Sequence, residues 1–261
     1  MERESLRAQL RLAGDIQQGL LPLSAPEVDG AALAGCNLPA DESSGDYYDF
    51  FSIAEHLVGF VIADATGHGI GAALIATTAR SALRALLHQR GPDELNLADV
   101  LTQLNELAES DFNDDKFITL FIGVYDARNG RLQYASAGHN PPMLLLRQRS
   151  RRIERLDATG LPLGMFTGMP YETIELRDLE AGDLMLVMTD GVNEASDAEG
   201  HQFGLARVEA LMMDGAPEEA PRAVIDRINT ALADFTGPRP REDDITMVCL
   251  RCEAPAPAGK P

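Results

Sequence analysis

The chain has 261 residues, 45% apolar and 24% charged, which is enough for one large folded domain and unlike a disordered or disulfide-scaffolded chain. Asp plus Glu number 41 against 22 Lys plus Arg, a formal charge of −19 that excludes nucleic acid and anionic membrane as partners over most of the surface. No run of about 18 apolar residues occurs, the first residues are charged where a secretion signal needs an apolar stretch, and the three cysteines are an odd count. The expectation is a cytoplasmic protein with no membrane span.

Residues 2–20 carry Leu6, Leu10, Ala13 and Leu20 at helical spacings, with the polar Gln17 interrupting the stripe and Leu12 and Ile16 beside it. Pro22, Pro26 and Gly30 end that helix. Strand texture follows at Ala31–Leu38, Tyr47–Ile53 and Leu57–Ala63. Gly67, Gly69 and Gly71 form a loop into a helix from about Ala72 to Gln89, stopped by Gly91-Pro92, and a second helix fits Ala98–Glu109. Strands return at 117–125 and 131–137, and Asp126-Ala-Arg-Asn-Gly130 between them has hairpin chemistry. Met143–Arg147 and Arg152–Leu156 make a second hairpin; Tyr171–Leu176 and Asp183–Thr189 make a third, turned by Glu180-Ala-Gly182. Helices at about 203–213 and 218–234 precede a last strand, Ile245–Arg251, and the tail 253–261 is too poor in large apolar groups to fold. Hairpins separated by helix pairs, without βαβα alternation, indicate the α+β class: an antiparallel domain with two sheets and helices outside.

One pattern recurs. Gly45-Asp46 opens a strand, Asp64 closes one ahead of the Gly67 loop, Asp190-Gly191 closes another, and Asp243-Asp244 opens the last. Carboxylates on neighbouring strand ends converge on one point, repel one another, and are relieved by a hard divalent cation with oxygen ligands. Taken singly, each aspartate is equally a turn residue, and Asp64 a helix cap; spacing alone does not bring the four together. No Cys is followed by Arg at the spacing of a cysteine phosphatase, and no Walker loop or G-x-S-x-G occurs. Cys249-Leu-Arg-Cys252 lies in a strand, where side chains three apart face opposite ways, so it reads as structural. His68 and His139 sit in glycine-containing loops, His139 as a hydrogen-bonded loop residue. Arg147, Arg149, Arg151, Arg152 and Arg155, with Glu154, make a basic knot of net +4 that reads as a solvated hairpin tip.

Seven segments then occur in the order of a known family: Ser44-Gly-Asp-Tyr-Tyr-Asp49, Ala63-Asp-Ala-Thr-Gly-His-Gly69 with Ala72-Ala-Leu74, Phe117-Ile-Thr-Leu120, Ala137-Gly-His-Asn-Pro-Pro142, Thr159-Gly-Leu-Pro-Leu-Gly164, Thr189-Asp-Gly-Val-Asn-Glu194 and Asp243-Asp-Ile-Thr246. Together they resemble the metal-dependent serine/threonine protein phosphatases of type 2C, in the bacterial branch of the stage II sporulation phosphatase and the stress-response sigma-regulator phosphatases. Asp15-Ile-Gln-Gln-Gly-Leu-Leu-Pro22 resembles the linker helix before such domains, and the likeness runs from about 13 to 251.

The resemblance implies a β-sandwich flanked by helices on both faces, and an enzyme hydrolysing phosphoserine or phosphothreonine through a water shared by two Mn²⁺ or Mg²⁺ ions. By matching, Asp46 and Asp64 would bind metal, with Asp64 bridging; the Ala65 carbonyl would be a further ligand; Asp190 and Asp243 would hold the second ion, with Asp244 supporting Asp243. Asp115 is the candidate for a weaker third ion. The implied substrate is a phosphorylated regulatory protein of the anti-sigma-factor antagonist type. Residues 1–22 would be a linker that pairs two copies, with the catalytic domain over 23–252. Ser44 stands where the family usually has glycine, and a positive φ there would strain it. The competing readings are a catalytically silent binding module and a hydrolase of small phosphoesters.

Overall fold

The computed structural model describes residues 2–112, 115–166 and 168–254. Its strands are β1 (Ala31–Leu38), β2 (Asp46–Ala54), β3 (Leu57–Ala65), β4 (Ile118–Asp126), β5 (Arg131–Ala137), β6 (Met143–Arg147), β7 (Arg152–Leu156), β8 (Ile174–Leu176), β9 (Leu184–Met188) and β10 (Ile245–Cys252). They form two five-stranded antiparallel sheets, ordered β1-β10-β9-β6-β7 and β2-β3-β4-β5-β8. The helices are α1 (Glu2–Gln18), α2 (Ile70–His88), α3 (Leu97–Asp111), the single turn α4 (Asp190–Asn193), α5 (Leu205–Asp214) and α6 (Pro221–Thr236).

The alternation of side chains along each strand builds three apolar layers. Phe60, Ile62, Phe121 and Tyr125 meet Met185, Val187, Val248 and Leu250 between the sheets. The intervening residues Val61, Ala63, Leu120 and Ile122 face outward and are covered by α2 and α3 through Ala76, Leu83, Leu101 and Leu104. On the other sheet Leu186, Met247 and Cys249 are covered by Val208 of α5 and Val224 and Ile228 of α6. Cys249 therefore lies in an outer layer and Cys252 in the sandwich interior, both as free thiols on opposite faces of one strand. This is the α+β sandwich expected.

One expectation changes. Tyr171–Leu176 and Asp183–Thr189 are not a hairpin: β8 pairs with β5, while β9 lies between β10 and β6 in the other sheet. The chain crosses between sheets over Arg177–Asp183, a step that turn chemistry at Gly182 does not reveal. Among the described residues one helix, α2, is long and apolar enough to cross a bilayer. Its Ala72, Ala76 and Leu83 are buried in the outer layer, and Arg84 makes a two-pronged pair with the buried Asp49 of β2, at 2.6 and 2.8 Å. Three arginines of the basic knot pair with acids, Arg147 with Glu154 and Asp183, Arg149 with Glu180 and Arg155 with Glu209. From residue 255 the tail lies outside the described residues, while the Glu253 N–H is bonded to the Gly30 carbonyl.

α1 is seated on the segment that leads into β2. Gly14 is buried there because a Cβ would fall 1.7 Å from the Glu42 carbonyl oxygen. One turn on, Gln17 clasps the main chain of Ser44: its Nε2 donates to the Ser44 carbonyl at 2.5 Å and its Oε1 accepts the Ser44 N–H at 2.9 Å. The seated face thus includes Gln17, read from the sequence as an interruption, whereas Leu12 and Ile16 are each 61% exposed. The Leu6 side chain lies outside the described residues. Gln17→Ala leaves a buried donor and acceptor without partners, and is expected to lower unfolding stability by about 1–3 kcal/mol in a denaturant titration.

Candidate metal centre

Antiparallel register sets Asp46 of β2 directly opposite Asp64 of β3, which places both carboxylates on one face at the sheet edge. In the other sheet, Asp190 follows β9 as the first residue of α4 and Asp243 precedes β10, with Met188 and Met247 paired between them. Gly191 permits the last approach: a Cβ there would fall 2.0 Å from the Asp244 carbonyl oxygen and 3.4 Å from the Asp243 Cβ. Two aspartates from each sheet therefore meet at one end of the sandwich.

Their charges act on one another. Burial first, then Asp64, raises the Asp46 carboxyl well above the ordinary range. Asp64 is raised by burial and by the charges of Asp190, Asp243 and Asp244. Asp190 is pushed up to about 6 by burial, Asp243 and Glu194, and Asp243 is raised chiefly by burial.

A second ring of groups fixes these carboxylates. Thr189 and Thr246 each donate a hydroxyl to Asp46 Oδ2, at 2.8 and 2.5 Å. Asn37 Nδ2 donates to Thr246 Oγ1 and to Ser44 Oγ, and Ser44 Oγ accepts the Asp46 N–H at 3.1 Å. Gln18 Nε2 in turn donates to Asn37 Oδ1 at 2.7 Å, so α1 joins the same network. Asp244 holds the loop before β2, accepting the Ala40 and Gly45 N–H groups at 2.8 and 2.7 Å, while its own N–H donates to Asp243 Oδ1 at 2.8 Å. Sequence reasoning missed Asn37, Thr189 and Thr246; the threonines were visible inside two of the motifs, whereas Asn37 carried no signal. Ser44 is unstrained, since the described non-glycine residues with positive φ are Arg151 and Asp178.

The remaining candidates divide. Ala65 is buried beside Asp64, its N–H bonded to the Gly45 carbonyl at 3.2 Å, and its own carbonyl oxygen lies 3.2 Å from where a Gly45 Cβ would be. Asp115 is 77% exposed and paired with Lys116 at 3.5 Å. His68 is exposed, 3.3 Å from Asp41. His139 is buried: Nε2 donates to the Met188 carbonyl at 3.1 Å and Nδ1 accepts the Thr119 hydroxyl at 3.0 Å, which staples β9 to β4 across the two sheets. Burial lowers its pKa to about 4 and keeps it neutral. Asp197, Glu199 and His201 form a separate surface turn in which Asp197 accepts from the Glu199 and His201 N–H groups.

The meeting carboxylates offer only oxygen donors, and each raises the proton affinity of its neighbours. That donor set fits a hard divalent cation, which removes the repulsion that protonation otherwise relieves.

The profile of the family described as Stage II sporulation protein E (SpoIIE) matches residues 54–253. The chain belongs to the SpoIIE family. Phosphoserine phosphatase RsbU of Bacillus subtilis (strain 168) is 29% identical over 252 residues, 95% of this chain and 71% of RsbU. Phosphoserine phosphatase RsbP of the same organism is 32% identical over 191 residues, 71% of this chain and 45% of RsbP. The chain thus spans under half of RsbP. The SiaA-PP2C domain of Pseudomonas aeruginosa superposes with a TM-score of 0.81 at 23% identity, covering 97% of this chain and 99% of that one. That superposition shows one shared fold over nearly the whole length of both chains.

Proposed function

We propose that this SpoIIE-family chain is a metal-dependent protein phosphatase acting on phosphoserine or phosphothreonine of a regulatory protein, of the anti-sigma-factor antagonist type, in the cytoplasm. The observation that carries the reading is the convergence of Asp46, Asp64, Asp190 and Asp243 at one sandwich edge, each carboxyl raised out of its ordinary range. The names of RsbU and RsbP, phosphoserine phosphatases both, support the reaction.

Two Mn²⁺ or Mg²⁺ ions, when bound, supply an activated water and a clamp for the phosphoryl oxygens. Asp46, Asp64 and the Ala65 carbonyl would hold one ion, and Asp64, Asp190 and Asp243 the other. Asp115, tied to Lys116, is the weaker third candidate. The chain's own part is to hold these oxygens still: Thr189 and Thr246 orient Asp46, and Asp244 fixes the loop ahead of it. A cysteine nucleophile is disfavoured, because burial pushes Cys249 and Cys252 up to about 12 and keeps them as thiols. In the same reading residues 1–22 are a linker helix and 23–252 the catalytic domain. The outward Leu12 and Ile16 of α1 support its pairing with a second copy.

The test is turnover of p-nitrophenyl phosphate and of a phosphoserine peptide with excess Mn²⁺, abolished by EDTA and restored by adding the metal back. Metal-independent turnover would reject the reading, and no turnover of either would favour a silent binding module.

A further inference from the structure

A cleft of about 570 Å³ opens beside Asp243 and Gly191, within the range of ligand pockets and larger than a phosphate group needs. Leu38, Leu232, Ala233 and Ile245 give it an apolar wall. Its rim is braced by two arginines: Arg239 donates to the Ser196 carbonyl, and Arg241 to the Pro39 carbonyl at 3.2 Å. Asn229 also lines it. The Oδ1 of Asn229 is buried with no hydrogen-bond partner among the described residues, while its Nδ2 lies 3.8 Å from Cys36 Sγ. That acceptor is shielded from the cleft, and its amide faces Cys36 in the outer apolar layer.

The cleft is continuous with the carboxylate edge through Asp243. A substrate whose phosphate sits on those carboxylates brings its neighbouring residues to this mouth. We propose that the cleft takes the polypeptide flanking the phosphoserine, with an apolar side chain against Leu232 and Ala233. This rests on the phosphatase reading and adds to it a substrate class: protein segments with an apolar residue next to the phosphorylated serine, preferred over polar or glycine-rich ones. A small phosphoester reaches the carboxylates without entering the cleft.

The experiment uses the full chain with excess Mn²⁺ and three probes: p-nitrophenyl phosphate, a phosphoserine peptide with leucine on both flanks, and one with glycine on both flanks. Ala233 is exposed on α6, so Ala233→Trp fills the cleft from a position outside the core, and Ala233→Ser leaves it open. The wild type is expected to favour the leucine peptide by about tenfold or more in kcat/KM, the discrimination an apolar pocket gives. Ala233→Trp should erase that preference while p-nitrophenyl phosphate turnover stays within about twofold, and Ala233→Ser should retain it. Hydrolysis of p-nitrophenyl phosphate with no peptide preference overturns the cleft alone, as does a preference that survives Ala233→Trp. Loss of all three activities in the tryptophan variant also counts against it, by making the change a general one. No turnover of any of the three probes by the wild type overturns the phosphatase reading, and the cleft proposal with it.

Discussion

Asp64→Ala and Asp190→Ala are each expected to cut phosphoester turnover on the order of a thousand-fold or more, since removing a ligand from a charge-stabilising centre costs several kcal/mol of barrier. The fold should survive. Both residues lie at strand ends, and each raises the free energy of its neighbours in the metal-free state: Asp64 is raised partly by Asp190, and Asp190 partly by Asp243. Deleting one charge relieves that repulsion, so the metal-free variants should melt no lower than the metal-free wild type. Adding Mn²⁺ should stabilise the wild type by mass action and the variants far less. Wild-type turnover in either variant at excess Mn²⁺ would remove that residue from the centre.

The second large effect is on the metal-free protein as pH changes. Asp46, Asp64, Asp190 and Asp243 all have folded pKa values above their unfolded ones, so between those values the folded state binds more protons. Their contribution is therefore present below about pH 4 and lost as pH rises, through about 6 for Asp190 and higher for Asp64. His139 has the opposite sign. Its folded pKa is depressed to about 4, so its contribution grows between that value and its ordinary 6.5. The two trends overlap below pH 6.5 and separate above it, where the carboxylates act alone. Metal-free protein is expected to lose roughly 5 °C in Tm from pH 6.5 to 8, a fall that saturating Mn²⁺ abolishes. A flat metal-free curve across that interval would mean that the folded carboxyls do not lie above their unfolded values.

The four aspartates were legible as a set because each stood at the end of an apolar run, Asp46 and Asp190 directly beside a glycine. Their meeting was not legible. It depends on which strands neighbour which, and the pairing of Asp46 with Asp64, or of Met188 with Met247, is a fact of register. Local chemistry likewise failed at Glu180–Asp183, where a good turn connects strands of different sheets. β6 and β7 were read with their bounds as short apolar or alternating runs on either side of a polar turn, whereas β8, with only three paired positions, was read three residues too long at its start. Residues whose task is to orient another side chain left little trace. Asn37 bonds Thr246 from 209 positions away, a partnership that no window along the chain can contain.

The clasp between Gln17 and residue 44 has a consequence for how this sequence can drift. Both of its bonds end on main-chain atoms, which every residue but proline possesses. The clasp itself is therefore indifferent to the side chain at 44 but strict about the spacing between Gly14 and Gln17. Substitution at 44 spares the clasp and costs instead the Ser44 Oγ contacts with Asn37 and the Asp46 N–H, whereas a one-residue insertion between Gly14 and Gln17 would rotate Gln17 about 100° around the helix axis and carry it off the loop.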